Sequence, residues 1–185
     1  MALANLSGPP PGAPPGSSPQ PLWPGGAKQN GQRFTPRRAF DCVYIADNGA
    51  TALAEVGAVL DIPKLGLRAQ PHLPMVVLAV QVALYGVLDL MNLSVRRSLN
   101  TTLTELRAPW RRAQARFEKG AGPPPATQVL GLAAFQSKRI TAVRYPSAQI
   151  HGAANLLIFT ERLGLHASNL LEVFDPSGRL SQRLP

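Results

Sequence analysis

The chain has little of what usually reveals a fold or a reaction. Cys42 is its only cysteine, so no internal disulfide can form and no zinc site is suggested. The opening residues lack both the basic start and the sustained apolar stretch of a secretory signal. Cys42 lies in the apolar run CVYI, which favours a small buried hydrophobe over a reactive thiol. We therefore expect a reducing, cytoplasmic environment.

The longest apolar run, residues 74–88, does not suit a membrane span. It is shorter than the roughly 20 residues that a spanning helix needs, and Gln81 interrupts it. Its valine-rich content is typical of a buried strand followed by a short turn. We expect no membrane partner.

Common catalytic motifs are also missing. The sequence contains no GxGxxG, no P-loop, no HExxH and no GxSxG. The three histidines, His72, His151 and His166, show no metal-ligand spacing, so we expect no metal. Ser147 has no neighbouring histidine, although a triad between residues distant in sequence stays open. No single motif names the reaction.

The composition predicts one folded domain behind a tail. Residues 1–21 are rich in Pro, Gly and Ser and have too few apolar residues to offset the entropy of ordering, so we predict a flexible tail. Residues 22–185 form the predicted domain, since 45% of the chain is hydrophobic. The net charge of +9 indicates an anionic partner without saying which one.

Strand patterns occur early and late in the chain, with helix patterns between them. This order favours an α+β domain over a doubly wound sheet. The helix over 51–60 would place Leu53, Val56 and Leu60 on one face. The predicted elements are strand 40–45, helix 51–60, buried strand 76–84, a short strand or turn over 87–91, helices 93–99 and 103–117 (the latter capped by Thr102 or Thr104 and open to a break at Pro109), helix 127–135, strands 140–145, 155–160 and 170–174, and a turn over 175–178.

Five residue types along the chain could carry chemistry, although each has an ordinary structural explanation. A turn arginine such as Arg33 is normally solvated, and a strand tyrosine such as Tyr44 is normally half-buried packing. Glu55 is more unusual, because a carboxylate among small apolar residues is costly unless it is paired. Ser147 and Asn155 follow in YPSA and ANLLIF, where a Pro-Ser pair most often forms a turn.

Taken in order, these blocks resemble the RES-domain family, named for an Arg, a Glu and a Ser. The resemblance runs from about residue 22 to residue 185. The matching blocks are GQRFTP with Arg33, VYIAD with Tyr44, TALAEV with Glu55, PMVVLAVQVAL, ATQVLGLAA, YPSA with Ser147 and ANLLIF with Asn155.

The resemblance implies an ADP-ribosyltransferase-like domain with a central mixed β-sheet and flanking helices. It implies a toxin of a bacterial toxin–antitoxin system that uses NAD⁺ as substrate and pairs with an Xre-type antitoxin. Depletion of NAD⁺ by hydrolysis or phosphorolysis is the favoured reaction. Transfer of ADP-ribose to a protein acceptor, such as phosphoribosyl-pyrophosphate synthetase, is the alternative.

The resemblance also assigns roles within the site. Glu55 would stabilise the oxocarbenium-like ribose, and Ser147 would donate to a phosphate or ribose oxygen. Arg33 would hold the pyrophosphate, Tyr44 would stack on the nicotinamide, and Asn155 would support the Ser147 loop.

One feature departs from the family pattern. Many members carry an Arg before the first Gly-rich turn, where this chain has Trp23 and Pro24. Either this chain does without that cation, or another basic residue such as Lys28 or Arg37 replaces it.

Nucleic-acid binding is the alternative of a different class. Arginines cluster in the predicted central helices, at positions 96, 97, 107, 111, 112 and 116. Few aromatics accompany them and no RNA- or DNA-binding motif appears. A solvated helical face, or a surface that meets an acidic antitoxin, explains them equally well, so direct nucleic-acid binding is not the expectation.

Overall fold

The computed structural model describes residues 20–62, 64, 66–70, 77–176, 178 and 180–185. The predicted tail up to residue 19, the start of the predicted strand at Val76 and Ser177 of the predicted turn lie outside these residues. The elements in chain order are α1 (Gly25–Asn30), β1 (Cys42–Ala46), α2 (Gly49–Glu55), β2 (Val59–Ile62), β3 (Gly66–Ala69), β4 (Ala79–Ala83), β5 (Val87–Asp89), α3 (Leu93–Ser98), α4 (Leu103–Arg107), α5 (Trp110–Glu118), α6 (Ala126–Gln136), β6 (Ala142–Pro146), β7 (Ala154–Phe159), a 3₁₀ helix (Thr160–Leu165), β8 (Leu170–Phe174) and β9 (Arg183–Leu184).

A four-stranded sheet in the order β1-β7-β6-β5 forms the centre of the domain. Strand β7 is antiparallel to both β1 and β6, whereas β5 runs parallel to β6. The central sheet is therefore mixed. This confirms the predicted α+β class with a central mixed sheet and flanking helices.

The two faces of the central sheet are covered differently. One face packs against a second sheet, of order β4-β8-β9, through a core that includes Ile45, Val80, Ile158, Leu171 and Val173. The opposite face is covered by loop and helical residues in a second core, which includes Phe34, Leu106, Ala134, Tyr145 and Leu157. Because side chains alternate along a strand, residues 44, 145 and 155 all point to this second face, where the candidate site lies.

The predicted helix over 51–60 is wrong in its length. Asn48 caps α2 by accepting from the Thr51 amide at 2.8 Å. The helix ends at Glu55, and Gly57 then takes a φ of 77°, a left-handed conformation that glycine adopts without strain. The chain leaves this turn as strand β2 rather than as another helical turn.

The predicted apolar face of that helix is also wrong. Val56 and Leu60 are 37% and 44% exposed, and both lie beyond the end of the helix. The buried residues of α2 are the smaller Thr51, Ala52 and Ala54. Small side chains let this helix approach strand β1 closely, which places its last residue, Glu55, beside the sheet.

The predicted buried strand over 76–84 is shorter and more exposed than expected. It is β4, an edge strand of the second sheet, and Val80 is buried while Gln81 and Ala83 are exposed. An edge strand is covered on one face only, so its apolar run does not indicate burial on both faces.

Three predictions about the helices are confirmed, and two helical elements were not predicted. Thr102 caps α4 through the Glu105 amide, and Pro109 separates α4 from α5. Helix α6 covers the predicted 127–135 stretch. The two helical elements that were not predicted are α1, in a polar segment before β1, and the 3₁₀ helix, which follows β7 directly.

Candidate active site

The Glu55 carboxylate is held at the centre of the candidate site by three donors. Its Oε1 accepts from Ser147 Oγ at 2.6 Å, from Asn155 Nδ2 at 2.7 Å and from the Ala148 amide at 3.3 Å. Its Oε2 has no hydrogen-bond partner among the described residues. The second oxygen is thus left for a ligand while the first fixes the orientation of the group.

The Ser147 hydroxyl is hydrogen-bonded to the Glu55 carboxylate and is not available as a donor to a substrate. The residue is 1% exposed, and its hydroxyl accepts from the amides of Gln149 at 3.1 Å and Ile150 at 3.0 Å. Its one proton is donated to Glu55. A hydroxyl has a single proton, so the structure gives Ser147 a different partner from the phosphate or ribose oxygen that we expected.

Asn155 is buried in the site and contacts Glu55 directly, whereas we predicted that it supports the Ser147 loop. It is 4% exposed, in strand β7 directly opposite Tyr145 in β6. Its amide donates to Glu55 itself and not to the Ser147 loop. The three residues predicted at positions 55, 147 and 155 are therefore brought into one hydrogen-bonded cluster.

A tight turn of residues 32–35 presents Arg33. The backbone of Gln32 and Thr35 is paired in both directions, at 2.8 and 3.1 Å. Helix α6 holds the turn from the other side, because Thr127 Oγ1 donates to the Arg33 carbonyl at 2.7 Å and Gln128 Nε2 donates to the Gln32 carbonyl at 2.9 Å. The backbone of Arg33 is consequently fixed by a separate helix.

Helix α6 approaches this turn so closely that only glycine fits at one position. A Cβ added at Gly131 would overlap the carbonyl oxygen of Phe34. Phe34 cannot move away to make room, because it is fully buried. Gly131 thus sets the distance between α6 and the turn that carries Arg33.

The Arg33 side chain is anchored through one of its nitrogens. Nη1 donates to the carbonyls of Leu106 and Ala108, both at 2.9 Å. Within the described part of the chain, Nε and Nη2 have no hydrogen-bond partner. That edge of the guanidinium is the one that binds a phosphate through two parallel N–H groups.

Arg33 lies near enough to Glu55 for the charges of the two side chains to interact. Burial lowers the pKa of the Arg33 guanidinium, and Tyr145, Glu55 and Tyr44 act in the opposite direction. An arginine remains protonated at neutral pH in spite of such a shift. The site therefore holds a fixed positive and a fixed negative charge.

Tyr44 does not present its hydroxyl to the site. That hydroxyl accepts from the Phe34 amide at 3.1 Å and lies 2.7 Å from Thr35 Oγ1. Its ring meets the Tyr145 ring edge to face, with centroids 6.4 Å apart. Tyr44 thus ties the Arg33 turn to strand β1, and only its half-buried ring remains for contact with a nicotinamide.

Tyr145 is the site residue that the sequence analysis did not single out. Its ring packs on Phe34 at 4.5 Å, and the hydroxyl has no hydrogen-bond partner among the described residues. Burial raises the pKa of Tyr145, Glu55 raises it further and Arg33 lowers it. A signal was available, because strand alternation puts residues 145 and 147 on one face.

The two residues expected to replace the missing cation are already neutralised. Lys28 Nζ lies 3.0 Å from Asp41 Oδ2. Arg37 Nε lies 3.3 Å from Glu118 Oε1 and donates to the Asn30 carbonyl. Neither is aimed at Glu55 or Arg33 by any contact.

The arginine cluster on which the nucleic-acid alternative rests is smaller than the sequence indicates. Arg96 is 8% exposed, and its Nη1 donates to the carbonyls of Leu90 and Met91, both at 2.7 Å. It holds β5 to α3 and is withdrawn from the surface.

Two further findings concern the described residues only. No group of three or more His, Cys, Asp or Glu side chains there could hold a metal ion. No helix there is long and apolar enough to cross a membrane.

Comparisons with known proteins concern the family and the fold of the chain. The family model described as RES domain matches residues 12–179. The chain belongs to the RES-domain family. Its RES domain is also similar in fold to a chain of the M. tuberculosis MbcT–MbcA toxin–antitoxin complex, with a TM-score of 0.56 and 18% sequence identity over 88% of this chain and 76% of that chain. Curated proteins gave no match.

Proposed function

We propose that this RES domain cleaves the nicotinamide–ribose bond of NAD⁺ and is the toxin of a toxin–antitoxin pair. The observation that carries the proposal is the Glu55 carboxylate, oriented through Oε1 by three donors with Oε2 unpartnered in the described structure. Membership of the RES-domain family supports the choice of NAD⁺.

The chemistry requires a negative charge that is fixed before the reaction begins. Loss of nicotinamide builds positive charge on the ribose in an oxocarbenium-like transition state. A preoriented carboxylate stabilises such a charge by about 3 kcal/mol without reorganising during the step. Ser147 and Asn155 supply the orientation, so they are positioning residues and Glu55 is the catalytic one.

The remaining residues suit the rest of the dinucleotide. Arg33 offers the Nε–Nη2 edge to the pyrophosphate. Tyr44 and Tyr145 offer aromatic surface to the nicotinamide ring, and Tyr145 also offers a neutral hydroxyl. A raised pKa keeps that hydroxyl protonated and able to donate.

The acceptor decides the name of the reaction. Nicotinamide leaves with the bonding electron pair, and the acceptor oxygen bonds to the ribose carbon and releases its proton. Water gives a glycohydrolase, inorganic phosphate a phosphorylase, and a protein side chain an ADP-ribosyltransferase. We favour NAD⁺ depletion, with modification of a protein such as phosphoribosyl-pyrophosphate synthetase as the alternative.

The partner is proposed by analogy with the structural neighbour. That neighbour is part of a toxin–antitoxin complex. We propose a cognate antitoxin of the Xre type for this chain, acting in the cytoplasm. The domain division into a tail of residues 1–21 and a RES domain of residues 22–185 is likewise proposed. Leu22 supports the boundary, because it is fully buried and its amide donates to Gln182 Oε1 at 2.8 Å.

The test is nicotinamide release from NAD⁺ by the purified chain, with and without phosphate. Glu55→Gln keeps an oxygen for the three donors and removes only the charge, so release should fall about 100-fold. Glu172→Gln, in strand β8 of the other sheet, is the matched control and should be unchanged. Absence of release from folded wild-type protein, with no ADP-ribose on any protein acceptor, would contradict the proposal.

A further inference from the structure

Arg111 is a second positive charge beside Arg33. The Arg33 guanidinium is hydrogen-bonded to the Ala108 carbonyl, and Arg111 follows three residues later in the first turn of α5. The two positive charges repel each other, and the charge of Arg111 lowers the pKa of Arg33. Two like charges therefore meet at this edge of the site.

Within the described part of the chain, neither arginine forms an ion pair with an acidic side chain, although Glu55 acts on Arg33 from a longer distance. The ion pairs of the described residues involve Lys28, Arg37 and Arg144. Arg111 is exposed, and among the described residues its guanidinium lies over the face of the Trp110 ring, 5.0 Å from the ring centroid. A stacked guanidinium keeps its N–H groups in the plane available for hydrogen bonds.

We propose that Arg111 and Arg33 together form the subsite for the diphosphate of the dinucleotide. This rests on the proposed function, because it names the part of NAD⁺ that the two arginines hold. Placing two unpaired like charges together is unfavourable in the empty site, and an anion with two negative charges removes that repulsion. Arg111 thereby takes the place of the cation that the sequence lacks near Pro24.

Each arginine would bind one of the two phosphates. Arg33 is anchored through Nη1, so it offers a fixed edge to one phosphate. Arg111 lies on an exposed helix face and reaches the other phosphate from the rim. A diphosphate suits this arrangement because each of its two phosphates can pair with one of the two guanidinium groups.

The experiment measures binding to the full chain by calorimetry with two probes, ADP-ribose and adenosine. Arg111→Gln should weaken ADP-ribose binding about tenfold, the loss of roughly one charge-assisted hydrogen bond, and leave adenosine binding unchanged. Arg112→Gln is the matched control. It removes the same charge from the same helix turn, at a position about 100° around the helix axis from Arg111.

The outcomes separate this inference from the proposed function. Equal ADP-ribose affinity in the wild type and the Arg111→Gln protein would overturn the subsite, and so would absence of ADP-ribose binding to the wild type. An equal loss in both variants would mean general electrostatic attraction and would overturn it too. An Arg111-dependent affinity without nicotinamide release would support the subsite and contradict the cleavage reaction.

Discussion

Ser147 Oγ donates to Glu55 Oε1 over 2.6 Å, although the two residues are 92 positions apart in the chain. The bond joins the end of α2 to the loop after β6. It makes the serine a part of the carboxylate's support, with two backbone amides holding the hydroxyl in turn.

Ser147→Ala should therefore lower both stability and turnover. It removes the acceptor of two partly buried amide hydrogen bonds, each worth about 0.5–1.5 kcal/mol, and it removes a donor from Glu55. We expect nicotinamide release to fall at least tenfold through kcat with a smaller change in KM. Kinetics and thermal unfolding check this. Ser137→Ala, at the end of α6, is the control and should retain activity, and an unchanged kcat for Ser147→Ala would contradict the positioning role.

Tyr145→Phe should separate the hydroxyl of this residue from its packing. The ring contact with Phe34 remains, so the melting temperature should change little, whereas the donor near Glu55 and Arg33 disappears. We expect nicotinamide release to fall about tenfold, which corresponds to one hydrogen bond of about 1.4 kcal/mol. Tyr85→Phe, at a 57% exposed position outside the site, should behave as wild type. Full activity of Tyr145→Phe would assign the residue to packing alone.

Gly131→Ala should displace the turn that presents Arg33. The added methyl meets the Phe34 carbonyl, which costs about 1–3 kcal/mol by overpacking and exceeds the gain of about 1 kcal/mol in helix propensity. We expect a lower melting temperature together with weaker ADP-ribose binding. Gly164→Ala is the matched control, because nothing lies within 4 Å of a Cβ there. A stable variant with wild-type affinity would show that α6 does not set the position of Arg33.

Cys42 should make the fold sensitive to alkali. Burial raises the pKa of its thiol from 9.0 to about 12, so the folded chain retains the proton while the unfolded chain loses it. The contribution to stability is full below pH 9 and declines between pH 9 and 12, by up to about 1.4 kcal/mol per pH unit. Tyr44 and Tyr145, whose pKa values are also raised by burial, act in the same direction.

Denaturant unfolding at pH 8 and pH 10.5 tests this pH dependence. The loss of unfolding free energy should be smaller in Cys42→Ala than in the wild type, each compared with its own value at pH 8. The native thiol should also resist alkylation at pH 8 and react after denaturation. An equal pH dependence in the two proteins would show that the thiol does not contribute.

Part of the site could be predicted because its residues stand in recognisable local blocks. Glu55 lies among small apolar residues, where a carboxylate without partners would be costly, and the structure provides those partners. Residues 147 and 155 lie at the ends of neighbouring strands that apolar patterning predicts well. Strand alternation alone places Tyr145 beside them.

Other features could not be predicted because distant contacts decide them. The helix over 51–60 ends early because Gly57 turns the chain and β2 pairs with β3, whereas its apolar residues would equally suit a longer helix. Lys28, Arg37 and Arg111 are all cationic side chains that the sequence does not distinguish. In the fold, Lys28 and Arg37 form ion pairs with carboxylates, whereas Arg111 does not. Charge neutralisation depends on spatial neighbours that local sequence does not reveal.

The sequence by itself thus determined the family, the class of fold and the residues proposed for the candidate site, since these follow from local patterns and from ordered motif blocks. The tertiary structure decided which atoms are engaged. The proton of Ser147 goes to Glu55, the hydroxyl of Tyr44 goes to the Arg33 turn, and Nη1 of Arg33 goes to the α4–α5 connection. Hydrogen bonds form over about 3 Å, so such assignments require positions in space that sheet pairing and helix packing establish.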